Sequence, residues 1–407
     1  MNVEKIHDVV VTGMACLCAA GNTPEAALWN LEKRGSRRGA LSPAESLDKR
    51  ALPYPFFALS DDCFPEGRKH SALDTFCLAQ TVVQKALAQA ALPEQKLRQT
   101  GIVFGTTAAS ALHFLESYAA SRENPAKESA SQSHQSAYPR DRDDYFAANL
   151  ALEMDVAAQG PRLTITNACT SGTDAIGLGL DLIATGQCSC VVCGGADALS
   201  LVPHTGFARL MIYSNEACRP FDANRRGLNL GEGAAALVLE SAEHAQQRRA
   251  PLLGRIMGYG SAADAHHFTA PHPAGRGLAS AIRQALAQAG LTPEDIAFIN
   301  AHGTATPEND KVEGRLLHSL LPGVPVWASK GGTGHTLGAA GALEAVLSLM
   351  ALHYDRLPPS LGFTDPDPEI QLEPTRQPRT LTSPYALSTS LGFGGGNAAL
   401  VLGRAEQ

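Results

Sequence analysis

Short apolar runs alternate with longer helical patterns along this chain of 407 residues. The runs Val9–Met14 and Gly101–Thr106 have the length and composition of strands. Apolar residues recur at helical spacing in Leu78–Leu92 and Leu278–Ala289. Strands that alternate with helices in this way predict an α/β fold.

The pattern also repeats within the chain. Ala235–Leu239 and Ala398–Leu402 have the same sequence, and each run follows a glycine-rich loop. The segments that precede the two runs resemble each other as well. We therefore predict two similar halves, residues 1–250 and 251–407, that join near Pro251.

One of these halves carries an insertion. Gly105 and Cys169 are 64 residues apart, whereas the corresponding residues of the second half, Gly303 and His335, are 32 apart. The first half is therefore longer by about 32 residues at this point. We place the insertion at about 109–150, where the sequence is rich in polar residues.

Composition and charge narrow the range of functions. Hydrophobic residues make up 44% of the chain and charged residues 18%, which is typical of an ordered globular protein. No apolar run reaches the roughly 18 residues of a membrane span, and the first residues lack a signal-peptide core. We therefore expect a cytoplasmic protein without a membrane partner. A net charge of −7 argues against nucleic acid as a partner.

The chain has nine cysteines, which we expect to be mostly free thiols in a reducing compartment. Cys188, Cys190 and Cys193 lie close enough in sequence to suggest metal ligands. Their segment is typical of a buried strand, however, and no second ligand pair has the spacing to complete a site. We interpret them as core cysteines.

A different cysteine, Cys169, carries the strongest chemical signal. The segment before it predicts a short strand, and small residues around it predict a tight turn into an apolar helix that ends near Gly186. Unpaired N–H groups and the helix dipole at such a start stabilise an anion, so we expect a thiolate. Two glycine-flanked histidines follow, His302 and His335. A thiol with two imidazoles suggests acyl-thioester chemistry.

These residues resemble the active-site motifs of the β-ketoacyl synthases, the condensing enzymes of fatty-acid and polyketide assembly. The resemblance runs from Val9 to Leu402, and its motif segments are Gly160–Ile176, His302–Asp310, Lys330–Glu344 and Gly392–Gly395. It implies the five-layered αβαβα thiolase fold, in which two duplicated halves stack their shared helices between their sheets. Cys169 and His335 would then begin equivalent buried helices.

The resemblance also implies a reaction in two steps. An acyl group passes from an acyl carrier protein to Cys169, and a malonyl-thioester then loses carbon dioxide and attacks that acyl group. The backbone N–H groups of Cys169 and Phe393 would form the oxyanion hole. His302 and His335, both neutral, would donate hydrogen bonds to the enolate oxygen. The substrates would be carried on the phosphopantetheine of the carrier protein, and we expect no other cofactor.

Supporting roles follow from the same resemblance. Lys330 and Glu344 are expected to form a buried ion pair that holds His335. Thr304 and Thr306 would bind the pantetheine arm or the malonyl group. The residues expected to brace the loop after His302, without a chemical part, are Asn309, Asp310 and Glu313.

A structural cation is found in some members of the family. The matching positions here are Asn300, Glu344, Ser388 and Thr389. Because Thr389 replaces an amide of the family pattern, we expect no metal.

Two histidines favour an elongating, decarboxylating synthase. Initiating synthases and plant-type polyketide synthases have asparagine where His335 stands, and thiolases use a late second cysteine, whereas no cysteine follows Cys218. Leu391 and Gly396 depart from the usual family pattern of the C-terminal loop. The sequence therefore does not decide whether the pathway is fatty-acid, type II polyketide or aryl-polyene synthesis. Two alternatives remain: a non-catalytic partner similar to a chain-length factor, and a thioester hydrolase.

The partners implied by the family are an acyl carrier protein and a second subunit, either the same chain or a chain-length factor. Carrier proteins are acidic, so a basic docking patch is expected. The clusters that fit are Arg68–His70 and, as a second choice, Arg225–Arg226.

Overall fold

The computed structural model describes residues 8–33, 53–64, 72–107, 146–147, 150–151 and 159–405. Its strands are β1 (Val9–Cys18), β2 (Gly101–Gly105), β3 (Arg162–Ile165), β4 (Cys190–Asp197), β5 (Gly233–Ser241), β6 (Gly254–Ala263), β7 (Ile296–Asn300), β8 (Val326–Trp327), β9 (Arg356–Leu357), β10 (Arg379–Thr380), β11 (Tyr385–Leu391) and β12 (Gly396–Gly403). Its helices are α1 (Pro24–Lys33), α2 (Ala72–Ala90), α3 (Glu94–Leu97), α4 (Ser171–Ala184), α5 (Leu201–Arg209), α6 (Ala242–Gln247), α7 (Arg276–Ala289), α8 (Pro307–Leu320), α9 (Lys330–Thr333) and α10 (Ala340–His353).

Two sets of five strands with the same internal order make up one mixed sheet. Its order is β3-β2-β4-β5-β1-β6-β12-β11-β7-β8, so the second set repeats the first in reverse across the β1–β6 contact. The central strands of each set are parallel, as in β2–β4 and β7–β11. The sets are joined edge to edge, because β1 and β6 pair over Val9–Val11 and Gly254–Ile256. The two predicted sheets are therefore hydrogen-bonded into one.

Helices form three layers around this sheet. α2 packs on β1, β4 and β5, whereas α7 packs on β6, β11 and β12. Between the two strand sets, α4 and α10 pack against each other and against strands of both sets. Separate apolar clusters fill the central layer and the two outer ones. The predicted five-layered αβαβα architecture is confirmed.

The two central helices lie unusually close together. α10 is buried on all sides except at its C-terminal residue His353, as expected for a helix that is apolar all round. A Cβ on Gly341 would lie 1.8 Å from Thr173 Oγ1, and a Cβ on Gly172 would lie 2.9 Å from the backbone nitrogen of Ala342. Glycine is therefore required on both helices where they cross.

The structure also bears on where the two predicted halves meet, on the predicted insertion and on the cysteines of β4. The proposed division between residues 250 and 251 falls between α6 and β6. The predicted insertion lies mostly outside the described residues, as do its charged residues 140–144. Cys190 and Cys193 lie on the fully buried strand β4, as predicted. No helix in the described ranges is long and apolar enough to cross a lipid bilayer.

Candidate active site

Cys169 lies in a tight turn between β3 and α4. The turn is a 3₁₀ segment, Ala168–Thr170, and α4 begins at the next residue, Ser171. Ala168 has φ +48°, in the left-handed region, which directs the chain sharply into the helix. The predicted strand, turn and helix are therefore present, and the sulfur sits just ahead of the first helical residue.

A second turn of the same kind precedes α10. It is the 3₁₀ segment Leu337–Ala339, and Leu337 has φ +54°. Leu337 thus matches Ala168, and Gly338 occupies the position of Cys169. The expectation that His335 and Cys169 begin equivalent helices is wrong by three residues, because His335 lies in the segment that leads into this turn.

The structure brings Cys169, His302 and His335 together in one cavity. Cys169 Sγ lies 3.1 Å from His335 Nε2. The two imidazole rings are 5.2 Å apart between centroids and perpendicular, with an angle of 89°. All three side chains are buried and line a cavity of about 360 Å³. The site can therefore hold a substrate atom against a sulfur and two ring nitrogens at once.

Both histidines are neutral at neutral pH. Burial, together with the nearby Lys330 ammonium, lowers the pKa of His302 and of His335 well below the usual 6.5. Lys330 Nζ lies 3.3 Å from His302 Nδ1. Because an ammonium only donates hydrogen bonds, His302 Nδ1 must accept and its proton must reside on Nε2. His302 is thereby fixed as a donor from Nε2.

His335 is held differently. Its Nδ1 is buried and has no hydrogen-bond partner among the described residues. Its backbone is fixed instead, since its N–H donates to Asn229 and its carbonyl accepts from Gly231. Nothing in this part of the chain therefore fixes which of its two ring nitrogens carries the proton.

Cys169 is a thiol rather than a thiolate in this buried state. Burial raises its pKa to about 11, although the Lys330 charge and the backbone N–H of Phe393 act in the opposite direction. The expected thiolate is therefore wrong for the resting site, because desolvation outweighs the help from neighbouring groups. Cys169 would have to lose a proton before its sulfur could act as a nucleophile.

Lys330 and Glu344 form the predicted ion pair, and both side chains are almost completely buried. Its role differs from the prediction, because Lys330 hydrogen-bonds His302 and not His335. The pair therefore orients the first imidazole directly. It acts on His335 only through its charge.

Acidic residues of α8 brace the loop that carries His302, as predicted. Glu313 accepts from the backbone N–H groups of His302 and Gly303, both at 2.8 Å. Asp310 accepts from the backbone N–H of Phe221 at 2.6 Å and of Ala305 at 3.1 Å. Both carboxylates accept hydrogen bonds from backbone N–H groups and from neighbouring side chains, and neither lines the cavity.

The Phe393 loop closes another side of the cavity. Phe393 N–H contacts the Cys169 sulfur, and the glycines that follow have φ +87° and +85° at Gly394 and Gly395. The Phe393 ring stacks on Phe207, with centroids 5.3 Å apart and an angle of 17°. Phe207 was not predicted from the sequence, because it lies outside the motif segments and meets Phe393 only in the folded chain.

The remaining predicted residues are placed as follows. Thr304 and Thr306 line the cavity, and their hydroxyl oxygens are 2.9 Å apart. Arg226 is exposed and lines the cavity as well. Arg225 does not belong to a free basic patch, because it pairs with Asp367 at 2.5 Å. The other candidate patch, 68–70, lies outside the described residues.

The positions of the family cation have suitable donors. Asn300 Oδ1, Glu344 Oε2 and Ser388 Oγ are buried oxygens without a hydrogen-bond partner among the described residues. Asn300 and Ser388 are paired across β7 and β11. Thr389 does not contribute, because its hydroxyl donates to Glu313 at 2.8 Å. Three buried oxygens of the kind that a hard cation prefers are therefore left without hydrogen-bond partners among the described residues. In the same ranges no group of three His, Cys, Asp or Glu side chains could hold a metal ion.

Comparison with known proteins identifies the family. Sequence profiles of the β-ketoacyl synthase N-terminal and C-terminal domains match residues 7–245 and 253–364. The chain belongs to the β-ketoacyl synthase family. It is 34% identical over 421 aligned residues to 3-oxoacyl-[acyl-carrier-protein] synthase 2 of Synechocystis sp., with 98% of each chain covered.

Two solved structures extend the comparison. The ishigamide ketosynthase/chain length factor superposes with a TM-score of 0.83 at 29% identity, covering 98% of this β-ketoacyl synthase and 100% of that chain. A ketosynthase in complex with its chain length factor from Xenorhabdus doucetiae gives a TM-score of 0.74 at 26% identity, with all of both chains covered. The thiolase-type fold and the family resemblance predicted from sequence are both confirmed.

Proposed function

We propose that this β-ketoacyl synthase elongates an acyl chain by decarboxylative condensation, with Cys169 as the nucleophile and His302 and His335 as donors to the enolate. The observation that supports this most directly is the shared cavity, in which Cys169 Sγ lies 3.1 Å from His335 Nε2 and His302 lines the same space. The alternatives lack such support. A chain-length-factor-like partner needs no nucleophile, and a hydrolase needs no second imidazole.

The first step transfers the acyl group. The Cys169 thiol passes its proton to His335 Nε2, and its sulfur attacks the thioester carbonyl of the loaded carrier. The N–H groups of Cys169 and Phe393 hold the resulting oxyanion. When the carbon–sulfur bond to the carrier breaks, the proton returns from His335 to the departing thiolate. His335 is suited to this exchange because no described residue fixes its tautomer.

The second step forms the new carbon–carbon bond. Between the steps the neutral His335 ring takes the tautomer with its proton on Nε2, which no described partner of Nδ1 prevents. A malonyl-thioester then loses carbon dioxide, and its carbonyl oxygen becomes an enolate that His302 and His335 stabilise from Nε2. The enolate carbon attacks the acyl group on Cys169, and the carbon–sulfur bond to Cys169 breaks. The sulfur then takes a proton from solvent. Lys330 contributes by holding the His302 proton on Nε2 throughout.

A cation at the family positions would support the orientation of His302 through Glu344 and Lys330. Asn300, Glu344 and Ser388 would hold a hard cation, whose charge would balance the free oxygen of Glu344. Burial otherwise raises the pKa of Glu344 to about 7. Glu344 is the partner of Lys330, so its ionisation maintains the contact that orients His302.

The family indicates a carrier protein and a second subunit as partners, and the exposed edge of the sheet offers a place for the second subunit. We propose an acyl carrier protein as the donor, and a second subunit that is either this chain or a chain length factor. β3 ends the sheet, and its residue Leu163 is exposed. Edge strands of this kind are sites where another chain adds to a sheet. Native mass spectrometry of the protein alone distinguishes a homodimer from a chain that awaits a different subunit.

One experiment separates the three candidate functions. The protein is incubated with acyl-loaded and malonyl-loaded carrier proteins, and the products are identified by intact mass. A β-ketoacyl carrier supports the condensing enzyme, free acid supports a hydrolase, and inertness supports the non-catalytic partner. The Cys169→Ala variant is the control, and condensation by that variant would contradict the proposal. A panel of acyl groups, including polyene chains, then distinguishes fatty-acid from polyketide or aryl-polyene elongation.

A further inference from the structure

Asp174 is a buried acidic residue in the first turn of α4 that has no part in the proposed reaction. Its Oδ2 accepts hydrogen bonds from Thr170 Oγ1 at 2.7 Å and from Asn167 Nδ2 at 2.8 Å. Its Oδ1 accepts from the Tyr259 hydroxyl at 2.7 Å. An acidic residue at this place can stabilise a helix through the dipole alone. Asp174 does more, because it ties α4 to three residues outside that helix.

Two of these residues, Asn167 and Thr170, stand on either side of Cys169. The chain between them turns through Ala168, whose φ of +48° is costly for a residue with a Cβ. The Thr170 N–H donates back to the Asn167 carbonyl at 3.2 Å, which closes the turn. Since one oxygen of Asp174 holds both side chains, it fixes both ends of this strained turn. The backbone N–H of Cys169 is thereby fixed as well.

The loop of Phe393 rests on the same turn. A Cβ on Gly392 would lie 3.4 Å from the Cys169 nitrogen, and a Cβ on Gly396 would lie 3.3 Å from Asn167 Nδ2. The Gly392 N–H donates to the Gly396 carbonyl at 2.7 Å, which joins the two ends of the loop. Phe393, which carries the second N–H of the proposed oxyanion hole, lies between these contacts. A shift of Asn167 would therefore move one N–H of the hole relative to the other.

Tyr259 holds Asp174 from the second half of the chain. It lies on β6, and its ring packs on Gly177, where a Cβ would come within 2.3 Å of the ring. Glycine at that position allows the hydroxyl to reach Asp174. Burial and the negative charge of Asp174 raise the pKa of Tyr259, so the hydroxyl remains a donor at neutral pH. The carboxylate is thus held at both oxygens, by Tyr259 at one and by the turn of Cys169 at the other.

We propose that Asp174 is a positioning residue for the oxyanion hole. Through the turn that it holds, it fixes the N–H of Cys169 relative to the N–H of Phe393. The proposal rests on the proposed function, because it requires an acyl transfer that develops negative charge on a thioester oxygen. Hydrogen bonds of an oxyanion hole act mainly in the transition state. Loss of the positioning should therefore lower the maximal rate of acylation and leave the half-saturating concentration of the thioester unchanged.

The test measures single-turnover acylation of Cys169 by octanoyl-N-acetylcysteamine, a small thioester, followed by intact mass at several thioester concentrations. Asp174→Ala removes the acceptor of all three hydrogen bonds. We expect its maximal rate to fall by roughly 10- to 100-fold, with a half-saturating concentration within about twofold of the original. Asp174→Asn should keep most of the rate, because its amide oxygen can accept from the turn and its NH₂ group can donate to the Tyr259 oxygen.

Two further variants, Tyr259→Phe and Thr170→Val, each remove one hydroxyl and keep the shape of the side chain. They test the proposal even if Asp174→Ala does not fold, and each should lower the maximal rate by less than Asp174→Ala does. Tyr259→Phe should have no further effect in the Asp174→Ala background, because the tyrosine acts through the carboxylate.

The matched control is Asp181→Ala. Asp181 lies on the same helix, about 10 Å further along at the rise of a helix, and accepts from Gln288 instead of from the turn. Its removal should leave both the maximal rate and the half-saturating concentration unchanged. Alkylation of Cys169 by iodoacetamide is a second control, because substitution at a saturated carbon needs no oxyanion hole. Its rate should not fall in Asp174→Ala.

Four results would overturn the proposal. A higher half-saturating concentration with an unchanged maximal rate would mean that Asp174 shapes thioester binding. A loss of alkylation as large as the loss of acylation would mean that it acts on the sulfur. An equal loss in Asp174→Asn would assign the effect to charge, and independent effects of Tyr259→Phe and Asp174→Ala would contradict the connection through the carboxylate.

The same measurements keep this proposal apart from the proposed function. If the original protein acylates Cys169 but forms no carbon–carbon bond, the proposed function fails, whereas acylation still measures the oxyanion hole and decides the role of Asp174. If the original protein does not acylate Cys169 from any thioester, both proposals fail together.

Discussion

Asp197 Oδ2 accepts a hydrogen bond from the backbone N–H of Gly338 at 2.7 Å. Asp197 ends β4 in the first half, and Gly338 lies in the turn before α10 in the second. The same oxygen accepts from Thr107 N–H at 2.9 Å. Thr107 in turn donates to the carbonyl of Ala168, beside Cys169, at 3.3 Å. One buried carboxylate thus links the turn of Cys169 to the turn that follows His335.

This link predicts different effects for two substitutions of Asp197. Asp197→Ala leaves the N–H groups of Thr107 and Gly338 without an acceptor, which costs roughly 1–3 kcal/mol for each buried group. We expect a lower unfolding free energy in urea and at least a tenfold loss of condensation. Asp197→Asn can still offer one oxygen to both N–H groups and should keep most of the activity. Equal losses in the two variants would show that charge, and not positioning, is what Asp197 supplies.

Substitutions of the two histidines should have different effects when each half-reaction is measured alone. His335→Ala removes the group that contacts Cys169, so both acylation and malonyl decarboxylation should fall. His302→Ala leaves that contact intact, so only decarboxylation should fall, by roughly 100- to 1,000-fold for the loss of one donor. Acylation is followed by intact mass and decarboxylation by release of labelled carbon dioxide. A loss of acylation in His302→Ala as large as in His335→Ala would refute the separate roles.

The protonation state of Cys169 predicts how alkylation responds to pH. The pKa of about 11 means that the thiolate fraction rises about tenfold with each pH unit below that value. The rate of reaction with iodoacetamide should therefore keep rising from pH 7 to pH 10. The measurement is the second-order rate at each pH, with Cys169→Ala to subtract the other thiols. A plateau at or below pH 8 would mean that the helix start stabilises a thiolate after all.

The lowered pKa values of the two histidines predict a decarboxylation rate that does not depend on pH in mild acid. Their pKa values lie well below 6.5, so both remain neutral donors when the pH falls from 8 to 6. Decarboxylation of a malonyl-carrier by enzyme that is already acylated should therefore stay constant over this range. A fall in rate centred near pH 6.5 would show an ordinary imidazole and contradict the buried, neutral pair.

The crossing of the central helices predicts a steric effect. In Gly341→Ala the added methyl group would lie 1.8 Å from Thr173 Oγ1, so either Thr173 must rotate and lose its hydrogen bond to Ser390 or α4 and α10 must move apart. We expect a loss of roughly 1–3 kcal/mol in unfolding free energy, measured in urea. The control is Gly206→Ala, because nothing lies within 4 Å of its added methyl group. Adding Thr173→Ala to Gly341→Ala should recover most of the loss, and failure to do so would locate the strain elsewhere.

Much of this arrangement could be predicted from sequence because its signals are local. The turn at Cys169 follows from small residues between a strand and an apolar helix, and the buried α10 follows from a run without charges other than Glu344. The partner of Lys330 could not be predicted, because it depends on the pairing of β8, which precedes Lys330, with β7, which precedes His302. The pKa of Cys169 was missed for a similar reason, since desolvation depends on the whole cavity and not on the helix start.

The second turn explains why the two halves do not both carry a sulfur. At Gly338 even a methyl group would come within 2.8 Å of Asp197 and 2.7 Å of the Thr107 nitrogen. A cysteine at that position would have to displace Asp197, whose carboxylate also holds Thr107 beside the turn of Cys169. The two turns are therefore alike in backbone, but only the turn of Cys169 has room for a side chain, so the cavity offers a sulfur at one of the two positions and not at both.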